Sequence, residues 1–137
     1  MMACLDTATL LDLAPPGERR ARAAARKKVE AIRCRGEALV TTRLNVAELL
    51  VGVVRSKDPR TERRKVEALL RRLQVLELDA RGAVAFGRIV GYLQEQGQKI
   101  GDMDALIASV CISHGHGVVT RNTRHFSRVP GLRVETY

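Results

Sequence analysis

The sequence contains no tryptophan, and aromatic residues make up only 3% of its 137 positions. Proteins that stack single-stranded bases need aromatic platforms, so we do not expect that mode of binding. No apolar run approaches the roughly 18 residues of a membrane span, and residues 1–13 lack the basic start of a secretory signal. Cys4, Cys34 and Cys111 are far apart and form no C-x-x-C pair. These features argue against a disulfide framework and a thiolate zinc site, and they favour a cytoplasmic protein without a membrane partner.

Several catalytic motifs are also missing. No G-x-x-x-x-G-K-[ST] loop is present, and no G-x-G-x-x-G follows a predicted strand, which argues against NTPases and dinucleotide enzymes. No G-x-S-x-G motif supports acyl-transfer hydrolysis.

The charge of the chain is strongly positive. Lys and Arg number 24 against 15 Asp and Glu, which gives a net charge of +9 and a pI near 10.3. Such an excess favours a polyanionic partner, with nucleic acid first and an anionic membrane surface second. With 45% apolar residues and this length, we expect one folded domain over residues 1–137.

Short apolar runs alternate with longer helical stretches along the chain. The predicted strands cover residues 3–5, 38–42, 75–78, 118–120 and 132–135. The predicted helices cover residues 7–13, 18–35, 45–55, 60–73, 80–96 and 102–113, with breaks at Pro15-Pro16-Gly17 and Pro59. Strands separated by helices indicate an α/β fold with a mostly parallel sheet. In such a sheet, sites form at the carboxyl ends of the strands.

Two helical stretches carry most of the basic residues. Residues 19–35 hold eight Lys or Arg, and residues 55–72 hold eight more. Each stretch is either an ordinary solvated helix face, a surface that faces phosphates, or an interface with another protein.

Acidic residues are few, and several follow predicted strands. Asp6 ends the first apolar run, where a role as helix N-cap would explain it. Asp102 fits the N-cap of the helix 102–113, and the helix dipole favours Asp104 in its first turn. Asn122 follows the strand 118–120 and would serve as a turn residue. Each residue therefore has a purely structural explanation when it is taken alone.

Glu48 lies within a helix that is otherwise apolar. Asn45, Glu48, Gly52 and Arg55 form its polar stripe, which is either a solvent face or part of a buried surface. A buried carboxylate needs a partner, and a cation would supply one.

Taken together, these polar residues predict one site. The carboxyl ends of parallel strands meet at one edge of a sheet, so Asp6, Glu48, Asp104 and Asn122 can converge there. Three carboxylates and an amide oxygen suit Mg²⁺ or Mn²⁺ rather than zinc. An acidic pocket on a basic chain suits a phosphodiester substrate that a metal ion bridges to the protein.

At these residues the sequence resembles the PIN-domain family and, within it, the VapC-like ribonuclease toxins of type II toxin–antitoxin pairs. The resemblance rests on four segments in order: Leu5-Asp6-Thr7, Asn45-Val46-Ala47-Glu48-Leu49, Asp104-Ala105-Leu106-Ile107-Ala108, and Thr120-Arg121-Asn122 with Phe126. The resemblance covers the whole chain, since its motifs run from residue 5 to residue 126, and it implies a five-stranded parallel sheet flanked by helices.

The resemblance also implies an activity and a set of site residues. It implies an endoribonuclease with a divalent-metal site at Asp6, Glu48 and Asp104 and a fourth catalytic position at Asn122. It further implies in-line attack by water that leaves a 5′-phosphate and a 3′-hydroxyl. The fourth position is often Asp, so the neutral Asn122 is expected to weaken a second metal. Asp102 is not a motif residue, but it is a possible auxiliary group through water.

Thr7 and Thr120 are predicted to hydrogen-bond the carboxylates or a phosphate as supporting residues. The partners implied by the resemblance are an RNA substrate, a cognate antitoxin that covers the acidic pocket, and a second copy of the chain in a homodimer.

Histidine residues offer a weaker signal. The His114-Gly115-His116 sequence invites a metal site, but it lies at a predicted helix end, where the dipole favours histidine. His125 has no predicted catalytic role. Two other functions remain open at this point: a PIN-like module that binds RNA or protein without catalysis, which Asn122 would favour, and a basic helical interaction protein without a parallel sheet.

Overall fold

A five-stranded parallel sheet forms the centre of the protein. The computed structural model describes residues 2–14 and 18–137, and its strand order is β3-β2-β1-β4-β5. In chain order the elements are β1 (Ala3–Leu5), α1 (Thr7–Leu13), α2 (Arg19–Cys34), β2 (Leu39–Thr42), α3 (Arg43–Arg55), α4 (Pro59–Leu70), β3 (Gln74–Leu76), α5 (Ala80–Glu95), α6 (Asp102–Ser113), β4 (Gly117–Val119), α7 (Thr123–Phe126) and β5 (Val134–Glu135). The predicted α/β class and parallel sheet are confirmed. The alternative of a helical protein without such a sheet is wrong.

Helices cover the sheet on both faces. On β1, Cys4 lies opposite Val40 of β2 and Val118 of β4, and these three buried residues belong to one apolar cluster. That cluster includes buried residues of α5, α6 and α7. Ala3 and Leu5, on either side of Cys4, and Val119, next to Val118, belong to a second apolar cluster. That cluster includes buried residues of α1, α2 and α3. The alternation follows from the strand geometry, because successive side chains point to opposite faces.

Polar caps fix where the helices begin at the carboxyl edge of the sheet. The side chain of Asp6 accepts the backbone N–H of Thr9 and starts α1, and that of Thr42 accepts the N–H of Asn45 and starts α3. Asp58 caps α4 in the same way, with Pro59 as its first residue. Pro59 therefore begins a helix, where its missing N–H is not needed.

The ends of several elements differ from the prediction. The helix α4 stops at Leu70 rather than at residue 73, and β3 stops at Leu76, so that Leu78 is 43% exposed. The single turn α7 was not predicted, because four residues are too short to show a helical period. The predicted break at Pro15-Pro16-Gly17 lies outside the described residues.

A close approach of two strands explains the glycine at the start of β4. A Cβ atom on Gly117 would lie 2.6 Å from Nε and 3.0 Å from the carbonyl oxygen of Arg133, which precedes β5. Glycine lets β5 pair closely with β4, the strand that leads to Thr120 and Asn122. Within the ranges 2–14 and 18–137, no helix is both long and apolar enough to cross a membrane.

Candidate active site

A hollow of about 170 Å³ lies at the carboxyl edge of the sheet, and we call it the acid hollow. Its lining residues come from the ends of β1 and β4 and from α1, α3, α6 and α7: Asp6, Thr7, Ala8, Asn45, Glu48, Asp104, Ile107, Asn122 and Phe126. The structure thus brings together the four residues that the sequence singles out. No Lys or Arg is among the described residues that line it.

Asp6 is the most deeply buried of these four residues, with 6% of its surface exposed. Its Oδ1 accepts the backbone N–H of Thr9 at 2.9 Å, which is the predicted N-cap role. Burial raises the pKa of Asp6, although hydrogen bonds from Thr120 and Thr9 oppose the rise and the charge of Asp104 adds to it. The ionised form is therefore costly here, and a bound cation would stabilise it.

Glu48 reaches the acid hollow from α3. Its Oε1 accepts a hydrogen bond of 2.7 Å from Oγ1 of Thr7. Oγ1 of Thr7 in turn accepts a hydrogen bond of 3.0 Å from Nδ2 of Asn45. Asn45 is fully buried and forms a capping box with Thr42 at the start of α3. The polar stripe of α3 is therefore partly an internal hydrogen-bond network. This network fixes the carboxylate of Glu48 relative to α1.

Asp104 lies in the first turn of α6, where it is half-buried. Its Oδ2 lies 2.8 Å from Nδ1 of His125 on α7. A carboxylate only accepts hydrogen bonds, so Nδ1 carries the proton in this contact. The sequence assigned no role to His125. One signal in the sequence could have indicated a role. His125 comes three residues after Asn122, and residues at this spacing share one face of a helix.

Asn122 is exposed and lies just after β4, before the first residue of α7. Its backbone N–H donates to Oγ1 of Thr120 at 3.0 Å, and Thr120 is fully buried and hydrogen-bonds Asp6. Thr7 and Thr120 thus each contact a carboxylate of the acid hollow. The segment after β4 is thereby connected to the end of β1.

Asp102 lies apart from the acid hollow. The N-cap of α6 is Gly101, so the predicted N-cap role of Asp102 is wrong. Gly101 has the extended backbone that an N-cap requires, while Asp102 is already the first helical residue. Asp102 lines a different, smaller hollow beside α5, with Lys99 among its neighbours.

The two histidines after α6 lie beside the start of β4, at the opposite edge of the sheet from Asp104. Their rings stack with centroids 6.1 Å apart. Nδ1 of His114 contacts the carbonyl oxygen of Val110, and Nδ1 of His116 accepts the backbone N–H of Met2. Burial and the neighbouring His114 lower the pKa of His116. These contacts give both rings a structural role at the end of α6.

The chemistry of the acid hollow fits a hard divalent cation. Within the described part of the chain, no three acidic, histidine or cysteine side chains already surround a single point. Asp6, Glu48 and Asp104 each accept a hydrogen bond from a donor of the protein in this structure. Mg²⁺ keeps several of its waters and needs only one or two protein carboxylates, so an oxygen-lined hollow of this kind suits it.

A second, larger hollow of about 370 Å³ lies on the basic side of the molecule, between α2 and α4. Val29, Leu69 and Leu73 are among its apolar residues, and Arg26 and Arg72 are among its basic ones. The two basic stretches therefore flank an apolar groove, which we call the α2–α4 groove.

Comparison with known proteins identifies relatives of the whole fold. The PIN domain family matches residues 3–132. The chain is 36% identical over 94 residues to the tRNA(fMet)-specific endonuclease VapC of Salmonella typhimurium, which covers 69% of this chain and 71% of that protein. It is 34% identical to the ribonuclease VapC2 of Rickettsia felis over 67% of this chain and 69% of that protein.

Solved structures of VapBC proteins have a similar fold. The crystal structure of VapBC2 from Rickettsia felis, bound to a DNA fragment from its promoter, superposes with a TM-score of 0.88 at 26% identity. That match covers 100% of this chain and 99% of the other. The DNA-bound VapBC of Salmonella typhimurium gives a TM-score of 0.84 at 29% identity, with 99% and 98% covered.

Proposed function

Because this chain belongs to the PIN domain family, we propose that it is an endoribonuclease that acts as the toxin of a type II toxin–antitoxin pair. The single observation that carries the proposal is the acid hollow, in which Asp6, Glu48, Asp104 and Asn122 meet at the carboxyl edge of the sheet. The ribonuclease names of relatives at 34–36% identity support the substrate class. The net charge of +9 favours a nucleic acid partner.

We further propose that Asp6, Glu48 and Asp104 hold one divalent cation, Mg²⁺ or Mn²⁺, with Asn122 as a fourth catalytic residue. When bound, such an ion activates a water and offsets the charge that develops on the phosphate. The chain itself holds the carboxylates in place. Thr7 orients Glu48, Thr9 and Thr120 hold Asp6, and His125 holds Asp104.

The decisive test of this function is RNA cleavage by variants that keep the shape of a carboxylate. Glu48→Gln and Asp104→Asn should each lower the cleavage rate of a labelled RNA with Mg²⁺ by about 100-fold or more. Glu95→Gln is the matched control, because Glu95 is exposed at the end of α5. Equal cleavage by the wild type and Asp104→Asn would contradict the proposal.

Measurements on the wild type separate the nuclease from a second candidate, a PIN-like module that binds RNA or protein without catalysis. Asn122 favours that candidate, because a neutral residue weakens the negative potential that attracts a cation. It predicts RNA binding with no cleavage by the wild type and no binding of Mg²⁺ or Mn²⁺ at millimolar concentration.

An antitoxin partner that covers the acid hollow follows from the proposed function, and the α2–α4 groove offers it a second contact surface. The neighbouring structures are VapBC complexes, and the lining of the α2–α4 groove combines apolar side chains with three arginines and one glutamate, Glu30. These features suit an amphipathic segment with acidic residues, because its apolar side chains would be buried while its charges pair with Arg26 and Arg72. The homodimer remains a prediction from the resemblance.

A further inference from the structure

Arg121 is the residue between two residues of the candidate site, although the proposed reaction gives it no role. It stands between Thr120, which hydrogen-bonds Asp6, and Asn122, which lines the hollow. The backbone N–H of Asn122 donates to the hydroxyl of Thr120, so this segment is closely tied to the end of β4. The base of the Arg121 side chain is thereby fixed next to the candidate catalytic residues.

A buried carboxylate holds the guanidinium of Arg121. Its Nε lies 2.8 Å from Oδ2 of Asp12 on α1, and the side chain of Asp12 is only 9% exposed. The same carboxylate accepts a hydrogen bond of 2.6 Å from the phenol of Tyr137. Asp12 is therefore itself fixed between α1 and the end of the described chain. Burial, followed by this hydrogen bond, raises the pKa of Tyr137 to about 12, so the phenol keeps its proton at neutral pH.

The rest of the guanidinium is available to a ligand. The side chain of Arg121 is 53% exposed, and its terminal amino groups have no hydrogen-bond partner within residues 2–14 and 18–137. A guanidinium has five N–H donors in a planar fork that matches the oxygens of a phosphate. The contact between Nε and the buried carboxylate of Asp12 offsets the cost of burying that charge, but it does not use the outer amino groups of the guanidinium.

We propose that Arg121 binds a phosphate of the RNA strand next to the phosphodiester that is cleaved, and that Asp12 and Tyr137 are positioning residues for it. The proposal rests on the proposed ribonuclease function. The three carboxylates of the acid hollow repel a phosphodiester, and a fixed guanidinium on the residue that precedes Asn122 would offset that repulsion for a neighbouring phosphate. Because Asp12 already holds the side chain, binding restricts Arg121 less than it would restrict a mobile arginine.

The test measures how RNA binding depends on salt. All proteins carry Asp104→Asn so that the probe, a fluorescein-labelled 12-nucleotide uridine RNA, stays intact. A protein that loses one phosphate contact shows a shallower slope of log Kd against log salt concentration, by about 0.7 for a single strand. We expect Arg121→Gln to show this change together with about tenfold weaker binding at low salt.

Two further variants make the result specific. Arg88→Gln removes the same charge from an exposed position on α5 and should keep the affinity within about twofold and the slope unchanged. Arg121→Lys keeps the charge but loses the fork, so it should restore the slope while binding stays weaker than in the Asp104→Asn parent. It also keeps the test valid if Arg121→Gln folds poorly.

Equal slopes and affinities for Arg121→Gln and Arg88→Gln would overturn the proposal, as would the absence of measurable RNA binding by the parent. Failure of the proposed function gives a different result. If the wild type does not cleave RNA but Arg121→Gln still lowers the slope, the phosphate contact stands and the nuclease assignment falls. If the wild type cleaves RNA and the slope does not change, only the role of Arg121 is wrong.

Discussion

Nδ1 of His125 lies 2.8 Å from Oδ2 of Asp104, and this contact joins the single turn α7 to the first turn of α6. The carboxylate of Asp104 lines the acid hollow, whereas the side chain of His125 is 39% exposed. His125 is thus placed to fix the orientation of the carboxylate of Asp104. Hydrogen bonds of this kind orient metal ligands in many proteins.

Removal of this contact should reduce activity without abolishing it. We expect His125→Ala to lower the rate of Mg²⁺-dependent RNA cleavage about tenfold, because Asp104 then samples other rotamers. His114→Ala is the control, since His114 is exposed at the other end of α6. Equal rates for His125→Ala and the wild type would show that the contact has no functional role.

The hydrogen bond from Thr7 to Glu48 gives a second prediction. Thr7→Val removes the hydroxyl that connects Asn45 to Glu48, while it preserves the shape of the side chain. We expect its affinity for Mn²⁺, measured by isothermal titration calorimetry, to fall about 10–100-fold. Thr7→Ser should restore most of the affinity, and Thr136→Val, at an exposed position, should have no effect. Unchanged affinity for Thr7→Val would count against the role of Thr7.

The buried charge of Asp6 predicts a gain in stability when it is removed. Burial raises the pKa of Asp6 above its ordinary value of 3.8. The protonated carboxyl of Asp6 therefore favours the folded state. This contribution is fully present below pH 3.8 and is lost as the pH rises through the raised pKa. Asp6→Asn keeps an oxygen for the N–H of Thr9, so we expect its Tm at neutral pH to exceed that of the wild type by a few degrees, while RNA cleavage is lost.

Thermal unfolding followed by circular dichroism at several pH values checks this prediction. The difference in Tm should shrink as the pH falls through the raised pKa of Asp6 toward 3.8, and it should stay constant below that value. Asp58→Asn is a control of opposite sign, because hydrogen bonds from Thr61 lower the pKa of Asp58. That variant should not be more stable than the wild type at neutral pH. A lower Tm for Asp6→Asn at neutral pH would mean that burial of the charge does not destabilise the fold.

Because Asn122 is neutral, we expect the protein to bind metal weakly. An acidic residue at this position should raise the affinity for the metal. A carboxylate roughly 6 Å from a divalent ion in a water-like dielectric contributes roughly 1.4 kcal/mol, or about tenfold in affinity. We expect Asn122→Asp to lower the Kd for Mn²⁺ by about that factor, and Asn122→Ser to leave it within about threefold of the wild type. If Asn122→Asp binds Mn²⁺ no more tightly than the wild type, Asn122 lies too far from the ion to matter.

Most of the fold could be predicted from the sequence because its signals are local. The apolar run at β1, the cap at Asp6 and the stop signals around the long helices fix where these elements lie. The four-residue α7 lacked such a signal. Asp102 was misplaced as the N-cap because the neighbouring Gly101 takes the extended conformation instead.

The residues of the acid hollow could be predicted, but their contacts could not. Asp6 and Asn122 follow strands, so the topology of a parallel sheet brings them to one edge. The partners of Glu48 and Asp104 depend on how α3, α6 and α7 pack, which no local pattern records. Asn45 shows the difficulty, because its helical position was compatible with a solvent face or a buried surface, and only the packing shows that it is fully buried.

The most direct test of the account is the anomalous scattering of Mn²⁺ in crystals of the protein soaked with that ion. We predict a peak within the acid hollow, about 2–2.5 Å from carboxylate oxygens of at least two of Asp6, Glu48 and Asp104. A peak only elsewhere, for example beside His114 and His116, or no peak when the soaked crystals diffract well, would contradict it.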